Sequence, residues 1–330
     1  MKILIPTAGN RSLLISAFRE QKQVEEVITT EIDELAPGNY SAHRSYHVPR
    51  STDPRFLEVL ENICQDENIK LLVPLADLDL VRFTQERERF AKLGVKVLAV
   101  PERTLNLSMD KLQTFYLFRQ LGIPTPHTMT LAEAQQGLNL VKYPVYLKPR
   151  YAGMKNSPRY FFKLLDDVED LEYYCRKLKG QEEDYLLQDP LMQGREINVD
   201  FFVQDGELKR LVPLYRLKAG DGGGIIRGKT IPCDRRIREY VEKLVSELEF
   251  YGATNIQLFA FEDGSLLVTE INPRFSNSSA LVVRPAGVDF FDLTLKMLQN
   301  ETISPEFDNY RMIAVTSCYQ PILVDKSCFV

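Results

Sequence analysis

Short apolar runs alternate with helical patterns through the first hundred residues, and this alternation restricts the fold more than any other feature of the sequence. The helical pattern over 53–69 has Asp53 as its expected cap and Pro54 as its first residue. The apolar runs predict strands over 2–6, 25–33, 70–79 and 94–100. Strands that alternate with helices form a parallel sheet covered by helices. The sequence therefore predicts a doubly wound parallel sheet in residues 1–100.

The composition and charge exclude several classes of protein. The chain has 330 residues, enough for two or three domains, and its net charge of −5 gives no electrostatic reason to bind nucleic acid or an anionic membrane. Its five cysteines are scattered and form no CxxC pair, which argues against a disulfide framework or a zinc site. No apolar stretch has the length of a transmembrane helix, and the N-terminus lacks a signal-peptide pattern. We therefore expect a cytoplasmic protein without nucleic-acid or membrane partners.

A predicted hairpin near the end of the chain brings several polar side chains together. Asp263-Gly264 is a strong signal for a two-residue turn, which places Gln257 opposite Glu270 and Asn255 opposite Asn272. Side chains two residues apart on a strand share a face, so Gln257, Glu270 and Asn272 converge on one patch of oxygen atoms. Carboxylate and amide oxygens suit Mg²⁺, which would need a polyphosphate to complete its coordination. A hydrogen-bonded polar cluster or a solvent-facing edge strand fits the same spacing.

Three basic residues near this patch are candidates for phosphate contacts. Arg274 follows the hairpin directly after Pro273, where a fixed cation would stabilise charge on a transferring phosphoryl group. Lys111 begins a helix capped by Asp110, a position that a nearby phosphate would make favourable. Lys148 ends the apolar strand "YPVYL" before a loop with one glycine, which is not a P-loop. Each of these residues also fits an ordinary surface charge or ion pair.

Two further segments have features of a nucleotide or substrate site. In "LLQDPLMQGREINVD", Asp189 and the residues up to Leu191 would offer groups to a purine edge, and Glu196 would accept from ribose hydroxyls. The loop "AGDGGG" over 219–224 lies between cations that include Arg216, and it fits a lid over an anionic substrate. A plain interdomain loop and a flexible connector are the alternatives for these two segments. The three histidines form no triad with a serine or cysteine.

Five segments occur in one order along the chain, and this order carries a family resemblance: "DKLQTF", "PVYLKP", "LLQDPLMQGREINVD", "NIQLF" and "TEINPRF". Together they resemble the ATP-grasp superfamily, and most closely the branch of the carbamoyl phosphate synthase large chain. The segments "ILIPTAGNRSLL", "TEIDELAP" and "LLVPLADLDL" are similar to the pre-ATP-grasp domain of that branch. The resemblance covers about residues 1–290.

The resemblance implies a mixed α/β and α+β architecture. A pre-ATP-grasp Rossmann-like domain over 1–100 is expected to precede a two-subdomain ATP-grasp fold. Residues 101–185 would form its small subdomain and linker helix, and 186–300 its central subdomain with the Mg-ATP site. The role of residues 301–330 is open between a terminal strand and a cover for a substrate pocket.

The resemblance also assigns roles to individual residues. Lys111 and Lys148 are similar to the two cations that hold ATP phosphates, Asp189 and Leu191 to the adenine hinge, and Glu196 to the ribose contact. Gln257, Glu270 and Asn272 correspond to the Mg²⁺ ligands, with Mn²⁺ as an alternative metal. Arg274 corresponds to the arginine that stabilises the transition state for acyl phosphate formation, and Arg216 to a substrate or phosphate contact.

Three positions depart from the family pattern. Gln188 precedes Asp189 where a glutamate is commoner, the loop "AGMKNS" is poor in glycine, and "FSNSS" follows "NPR" where small glycines are usual. These departures concern the donor and acceptor pockets more than ATP binding.

The function implied is that of an ATP-dependent ligase. It would activate a small-molecule carboxylate as an acyl phosphate with Mg-ATP, couple it to an amine or similar nucleophile, and release ADP and phosphate. One alternative is half of a split carbamoyl-phosphate-type synthetase, and another is a non-catalytic nucleotide-binding protein of the same fold. Family likeness also suggests a homodimer. The sequence does not identify the carboxylate or the nucleophile.

Overall fold

The computed structural model describes residues 1–138, 141–151, 162–220, 225–318 and 320–324. Two predicted loops fall partly or wholly outside these ranges, namely the phosphate loop over 152–157 and the end of the glycine-rich loop at 221–224. In the described part of the chain, no helix is long and apolar enough to cross a membrane. The cysteines within the described ranges are all free thiols.

Five parallel strands form the first sheet, so the predicted parallel arrangement is confirmed, but the strand over 44–47 was not predicted. In space they run in the order β3-β2-β1-β4-β5, so the order reverses between β1 and β4. The strands are β1 (Lys2–Ile5), β2 (Glu26–Glu31), β3 (Arg44–His47), β4 (Leu71–Leu72) and β5 (Lys96–Val97). A doubly wound sheet of this kind binds ligands in the crevice beyond the carboxyl ends of its strands, where the order reverses.

Two predictions about the connections in this sheet are wrong. Asp53 does not cap the helix, because the helix begins only at Phe56 and Arg55 holds the cap position. The Asp53 Oδ1 accepts a hydrogen bond from the Arg55 backbone amide at 2.9 Å in the turn that precedes the helix. The predicted strand over 70–79 is also too long, since residues from Asp77 onward form the first turn of a helix, where acidic side chains are favourable.

Ten α-helices lie within the described ranges. Among them, Asp110 caps its helix as predicted, because its side chain accepts from the backbone amides of Leu112 and Gln113. The helices are α1 (Ser12–Arg19), α2 (Phe56–Asp66), α3 (Asp77–Gln85), α4 (Arg87–Ala91), α5 (Glu102–Met109), α6 (Lys111–Gln120), α7 (Leu131–Gln135), α8 (Val168–Lys177), α9 (Arg235–Glu247) and α10 (Phe290–Leu298).

Two antiparallel sheets follow the first sheet along the chain. The small sheet has the order β6-β9-β7-β8, with strands β6 (Thr128–Thr130), β7 (Val145–Pro149), β8 (Lys163–Leu165) and β9 (Tyr185–Gln188). The large sheet has the order β14-β13-β10-β11-β12-β15, with strands β10 (Arg195–Gln204), β11 (Glu207–Ala219), β12 (Ile225–Thr230), β13 (Gly252–Ala260), β14 (Leu266–Asn272) and β15 (Ala314–Thr316). Asp205 and Gly206 both have positive φ, 53° and 73°, as the predicted turn between β10 and β11 requires.

Residues near the C-terminus extend the large sheet. The strand β15 pairs with β12 at the edge of this sheet, and Arg227 lies opposite Thr316. Within the described residues, this segment contributes one short strand to the sheet.

Apolar packing joins the first and large sheets, whereas the small sheet has a core of its own. One cluster combines Leu4 and Ile28 of the first sheet with Phe201 and Ile256 of the large sheet. A second cluster includes Phe18, whose ring lies 5.2 Å from that of Phe275. The small sheet buries a separate set, which includes Leu147, Leu171 and Leu187.

Candidate active site

The hairpin of β13 and β14 pairs Gln257 with Glu270 and Asn255 with Asn272, as predicted. The predicted two-residue turn is wrong, however. Phe261 and Ser265 close a three-residue loop that ends at Gly264, whose φ is +82°. The register near the loop is therefore displaced by one residue, with Leu258 opposite Val268.

An irregularity at Thr269 restores the predicted pairing. The register shifts between Gln257 and Leu258, so Thr269 is the extra residue of a β-bulge on β14. Its hydroxyl donates to the Gln257 carbonyl at 3.1 Å. Because a one-residue shift exchanges the faces of a strand, Val268 and Ile271 are both buried while Glu270 and Asn272 are half-buried on the opposite face.

Three strands of the large sheet carry polar residues in register on this face. Asn198 of β10 lies opposite Gln257, which lies opposite Glu270. One row further along, Asp200, Asn255 and Asn272 are aligned in the same way. The alternate residues of β10 belong to the apolar cluster shared with the first sheet. The polar rows therefore form one continuous surface of carboxylate and amide groups, which we call the polar face.

The polar face has the donor chemistry that Mg²⁺ prefers. Its oxygen donors are those of Gln257, Glu270 and Asn272, and the buried Asn198 Oδ1 has no hydrogen-bond partner among the described residues. No group of three or more His, Cys, Asp or Glu side chains in the described ranges could hold a metal ion. A single carboxylate with amide oxygens fits a magnesium ion that takes its remaining ligands from phosphates and water.

Lys148 brings a buried charge from the small sheet towards the polar face. It lies on β7, is only 6 % exposed, and its Nζ donates to Gln188 Oε1 on the adjacent strand β9 at 2.8 Å. Burial lowers the pKa of Lys148 to about 8, the Glu270 carboxylate opposes this shift, and the Lys111 ammonium adds to it. The charge of Glu270 on the large sheet therefore acts on Lys148 of the small sheet.

Lys111 lies at the start of α6 beside an ion pair that the sequence did not indicate. Arg150 binds both carboxylate oxygens of Asp110, at 2.8 and 2.7 Å, and the Lys111 backbone amide donates to the Arg150 carbonyl at 3.1 Å. A bidentate pair of this kind fixes geometry as well as charge. It anchors the helix start that holds Lys111 to the end of β7, next to Lys148.

The predicted adenine hinge connects the small sheet to the large sheet. Asp189 follows β9 with an exposed side chain, and its backbone amide donates to the His127 carbonyl at 3.0 Å. Leu191 is half-buried in the turn that leads to β10. Gln188, the departure from the family pattern, is buried and bonded to both Lys148 and Thr128. The sequence missed this role because Thr128 is sixty residues away.

Glu196 and Arg216, predicted to make separate contacts, form an ion pair with each other. Arg216 Nη1 lies 2.6 Å from Glu196 Oε1, and both side chains are mostly buried. Burial raises the pKa of Glu196, and Arg216 opposes this shift. Glu196 lies at the start of β10, next to the hinge. A ligand that binds Glu196 or Arg216 would therefore compete with, or add to, the ion pair between them.

Arg274 forms an ion pair with Asp77, which follows strand β4 of the first sheet. Its Nε lies 2.5 Å from Asp77 Oδ1, at the start of α3. Burial raises the pKa of Asp77, but Arg274, with help from Arg11 and Lys111, holds it below its ordinary value. Arg274 therefore lies where the polar face meets the carboxyl ends of the parallel strands.

The sequence missed Asp200, the buried carboxylate of the polar face. Asp200 is fully buried and accepts hydrogen bonds from the hydroxyls of Ser276, Ser278 and Ser279, the last two at 2.5 and 2.9 Å. Burial raises the pKa of Asp200, and these hydroxyls oppose that shift. The three serines belong to "FSNSS", where the family pattern fails, so this departure supplies donors to Asp200. A cluster of hydroxyls after the hairpin was the available signal.

Two family models match the chain. One is described as "PylC-like, N-terminal domain" and matches residues 3–98, and the other as "ATP-grasp in the biosynthetic pathway with Ter operon" and matches residues 181–318. Among curated relatives, the arginine-specific carbamoyl phosphate synthase large chain of Bacillus subtilis (strain 168) is 26% identical over 300 residues. That alignment takes in 83% of this chain, which spans only 27% of the relative's length.

Solved structures with the same fold include two groups of ATP-grasp enzymes. Biotin carboxylase from Campylobacter jejuni superimposes with a TM-score of 0.74 at 16% identity, covering 94% of this chain and 73% of that one. N5-carboxyaminoimidazole synthetase from Staphylococcus aureus, in complex with ADP, gives 0.70 at 14% identity, with coverages of 94% and 79%. The two family models, the Bacillus subtilis relative and the five motifs in order together support an ATP-grasp protein of the branch that resembles the carbamoyl phosphate synthase large chain.

Proposed function

We propose that the chain is an ADP-forming ligase that activates a carboxylate with Mg-ATP and couples it to an amine or similar nucleophile. The observation that carries this proposal is the buried Lys148 of the small sheet, whose ionisation responds to Glu270 on the large sheet. Burying a charged lysine without a hydrogen-bonded carboxylate partner costs free energy, unless a bound ligand supplies the opposite charge. A polyphosphate between the two sheets would do so.

The nucleotide would lie between the hinge and the polar face. Lys111 and Lys148 would neutralise phosphate oxygens, Asp189 and Leu191 would contact the adenine, and Glu196 the ribose. Gln257, Glu270 and Asn272 would hold Mg²⁺, or Mn²⁺ in its place, and the metal would neutralise phosphate charge when bound. Among proteins of this fold, the biotin carboxylase domain of a Hydrogenobacter thermophilus 2-oxoglutarate carboxylase was solved with MgADP, ADP and bicarbonate.

The chemical step assigned to this site is phosphoryl transfer followed by acyl transfer. A carboxylate oxygen bonds to the γ-phosphorus as the bond to the β-phosphate oxygen breaks, giving an acyl phosphate and ADP. The amine nitrogen then bonds to the acyl carbon, inorganic phosphate leaves, and the nitrogen loses a proton. Lys148 and Arg274 contribute fixed positive charge near the transferring group, with Arg216 as a further substrate contact. The protein's part is therefore mainly positioning and neutralisation of charge.

The proposal is tested by ADP release from the full chain with Mg-ATP, across a panel of carboxylates combined with amines. At least one pair is expected to give substrate-dependent ADP. Glu270→Ala should abolish that signal, while Glu262→Ala, an exposed acid on the same hairpin, should leave it unchanged. Circular dichroism checks that both variants fold. Full activity in Glu270→Ala would show that the metal site is wrongly assigned.

A second candidate function is one half of a split carbamoyl-phosphate-type synthetase that works with a partner chain. The similarity to the carbamoyl phosphate synthase large chain over 300 residues supports it. ADP release with bicarbonate as the only added substrate would favour this candidate. Nucleotide binding without ADP release across the whole panel would instead indicate a non-catalytic protein of the same fold.

We also propose a homodimer, by analogy with the dimer recorded for the 2-oxoglutarate carboxylase domain. Light scattering of the purified chain tests this assembly.

A further inference from the structure

A second group of charged residues lies outside the nucleotide site, at the carboxyl ends of the parallel strands. Arg11 follows β1, Glu31 ends β2, and Asp77 and Asp79 follow β4. The strand order reverses between β1 and β4 at this point. Open parallel sheets bind their ligands in the crevice beyond such a reversal. We call this place the switch-point crevice.

The charged residues of the switch-point crevice interact closely with one another. Burial lowers the pKa of Arg11, and the charges of Asp79, Arg274, Asp77 and Glu31 all act on it, which shows that the five groups are neighbours. The Lys111 ammonium also acts on Asp77, so three cations and three carboxylates meet here.

Most of these groups already have partners within the protein. Arg11 donates to the carbonyls of Leu75 at 3.2 Å and Thr7 at 2.8 Å. Glu31 accepts from the Gly9 backbone amide at 2.8 Å and from the amide of Ile32 at 2.7 Å. Arg274 holds Asp77. These contacts fix the charged groups of the crevice in place.

Asp79 is the exception. It is only 4 % exposed, Thr7 hydrogen-bonds to its carboxylate, and its Oδ2 is buried with no hydrogen-bond partner among the described residues. An unpaired buried carboxylate oxygen is unfavourable, and such a group in a native structure calls for a ligand, a water or an ion. Burial raises the pKa of Asp79 to about 6, with Thr7 and Arg11 opposing the rise.

Arg274 connects the crevice to the proposed site of phosphoryl transfer. It follows β14, which carries Glu270 and Asn272, and its ion pair with Asp77 brings the polar face and α3 together. The charge of Asp77 also acts on Asp79, so the crevice adjoins the end of the strand that carries the proposed metal ligands.

We propose that the switch-point crevice binds the ammonium group of the amine substrate, with Asp79 as its principal ligand and Thr7 holding that carboxylate in position. This inference rests on the proposed function, whose amine it places. The buried and unpaired Oδ2 of a carboxylate favours a cationic hydrogen-bond donor. An anion fits less well, because the Nε and Nη1 donors of Arg11 already bond to backbone carbonyls.

Calorimetric titration of the full chain without ATP tests this assignment directly. The probes are the proteinogenic amino acids and simple alkyl diamines, each compared with its N-acetylated counterpart, together with inorganic phosphate. At least one free amine is expected to bind, and its N-acetylated form should bind at least tenfold more weakly. Asp79→Asn should weaken the same amine at least tenfold, because a hydrogen bond to a charged group is lost. The control Glu88→Gln, an exposed acid on α4, should not change the affinity.

A second variant covers the case in which Asp79→Asn does not fold. Thr7→Val removes the hydrogen bond to the same carboxylate and should weaken amine binding about threefold or more. The inference is wrong if no amine binds better than its N-acetylated form, if phosphate binds in place of amines, or if folded Asp79→Asn binds as tightly as the unmodified chain.

The ADP-release assay separates this inference from the proposed function. Amine binding that depends on Asp79 but gives no ADP with any carboxylate would leave the crevice assignment standing and overturn the ligase activity. ADP release that is unchanged in Asp79→Asn would leave the ligase activity standing and overturn the crevice assignment.

Discussion

Folding strongly alters the chemistry of Lys148. Burial lowers its pKa to about 8, so the side chain is charged below that pH and neutral above it. Only the charged form attracts phosphate. We therefore predict that the affinity for Mg-ADP is constant below about pH 7.5 and falls up to tenfold per pH unit as the pH rises above 8. Titration calorimetry between pH 6.5 and 9.5 measures this dependence.

Lys148→Arg is the matched variant, because arginine stays protonated throughout this range. It should bind Mg-ADP with less pH dependence, whatever its affinity at pH 7. An affinity of the unmodified chain that does not change up to pH 9.5 would show that Lys148 makes no phosphate contact.

Asp200 gives a prediction about stability rather than binding. Ser278→Ala removes one of the three hydroxyl donors of a carboxylate that has no access to water. The free energy of unfolding should fall by about 1.5–3 kcal/mol, the range for hydrogen bonds to charged groups. Asn277→Ala, an exposed neighbour, should change it by less than about 0.5 kcal/mol. Urea unfolding at pH 7 measures both values, and equal effects would show that the Asp200 cluster adds no stability.

At the scale of single residues, the sequence predicted polar residues that are unusual in their local surroundings. It missed residues whose roles depend on partners far away along the chain. Glu270, Asn272 and Lys148 stand out because a carboxylate, an amide and a lysine are unusual in apolar strands. Asp77 and Asp200 do not, because their partners Arg274 and Ser278 are nearly two hundred and about eighty residues away. No local pattern reports such contacts.

The hairpin of β13 and β14 shows how a strand pairing can be predicted correctly from a wrong turn. The sequence predicted a two-residue turn, but the loop has three residues and ends at Gly264. The bulge at Thr269 cancels the displacement before the strand reaches Glu270. Bulges have no reliable sequence signal, so the pairing at the site could be predicted and the path that leads to it could not.

Gly264 ends the loop of this hairpin in a backbone conformation that other residues rarely adopt. Its φ of +82° is unfavourable for other residues, although a Cβ there would contact nothing within 4 Å. We predict that Gly264→Ala lowers the free energy of unfolding by about 1–2 kcal/mol from backbone strain alone. Gly264→Asn should cost less, because asparagine tolerates this conformation.

Chemical unfolding of the two Gly264 variants and Mg-ADP titration check this prediction together. The affinity for Mg-ADP should stay unchanged in both, because the bulge at Thr269 lies between the loop and the metal ligands. A loss of affinity in Gly264→Ala would mean that the loop, rather than the bulge, sets the register at Glu270.

At the scale of the whole molecule, the alternating pattern predicted the parallel sheet, and the motif order indicated the ATP-grasp fold that follows it. The packing between sheets was not predictable, because apolar periodicity shows which face of an element is buried but not against what. In the structure, the first and large sheets share two apolar clusters, and the small sheet has a separate one. The proposed nucleotide site lies between these two units.

This division predicts two levels of stability in the ligand-free protein. Strands of the first and large sheets should exchange their amide hydrogens with one common free energy of opening, because a shared core unfolds as a unit. The strands Val145–Pro149 and Tyr185–Gln188 of the small sheet should open at a lower free energy, since their core is smaller and independent. Exchange measured by mass spectrometry over a series of low urea concentrations distinguishes the two levels.

Mg-ADP should then raise the opening free energy of the small sheet, because the nucleotide would contact Lys148 on this sheet and Glu270 on the large one. At one hundred times its dissociation constant, the expected increase is about 2.7 kcal/mol. Glu270→Ala should reduce that increase without altering exchange in the ligand-free small sheet, which does not depend on Glu270 for its core. One opening free energy for all three sheets would contradict the two-unit division. Protection confined to the large sheet would contradict the placement of the nucleotide between the sheets.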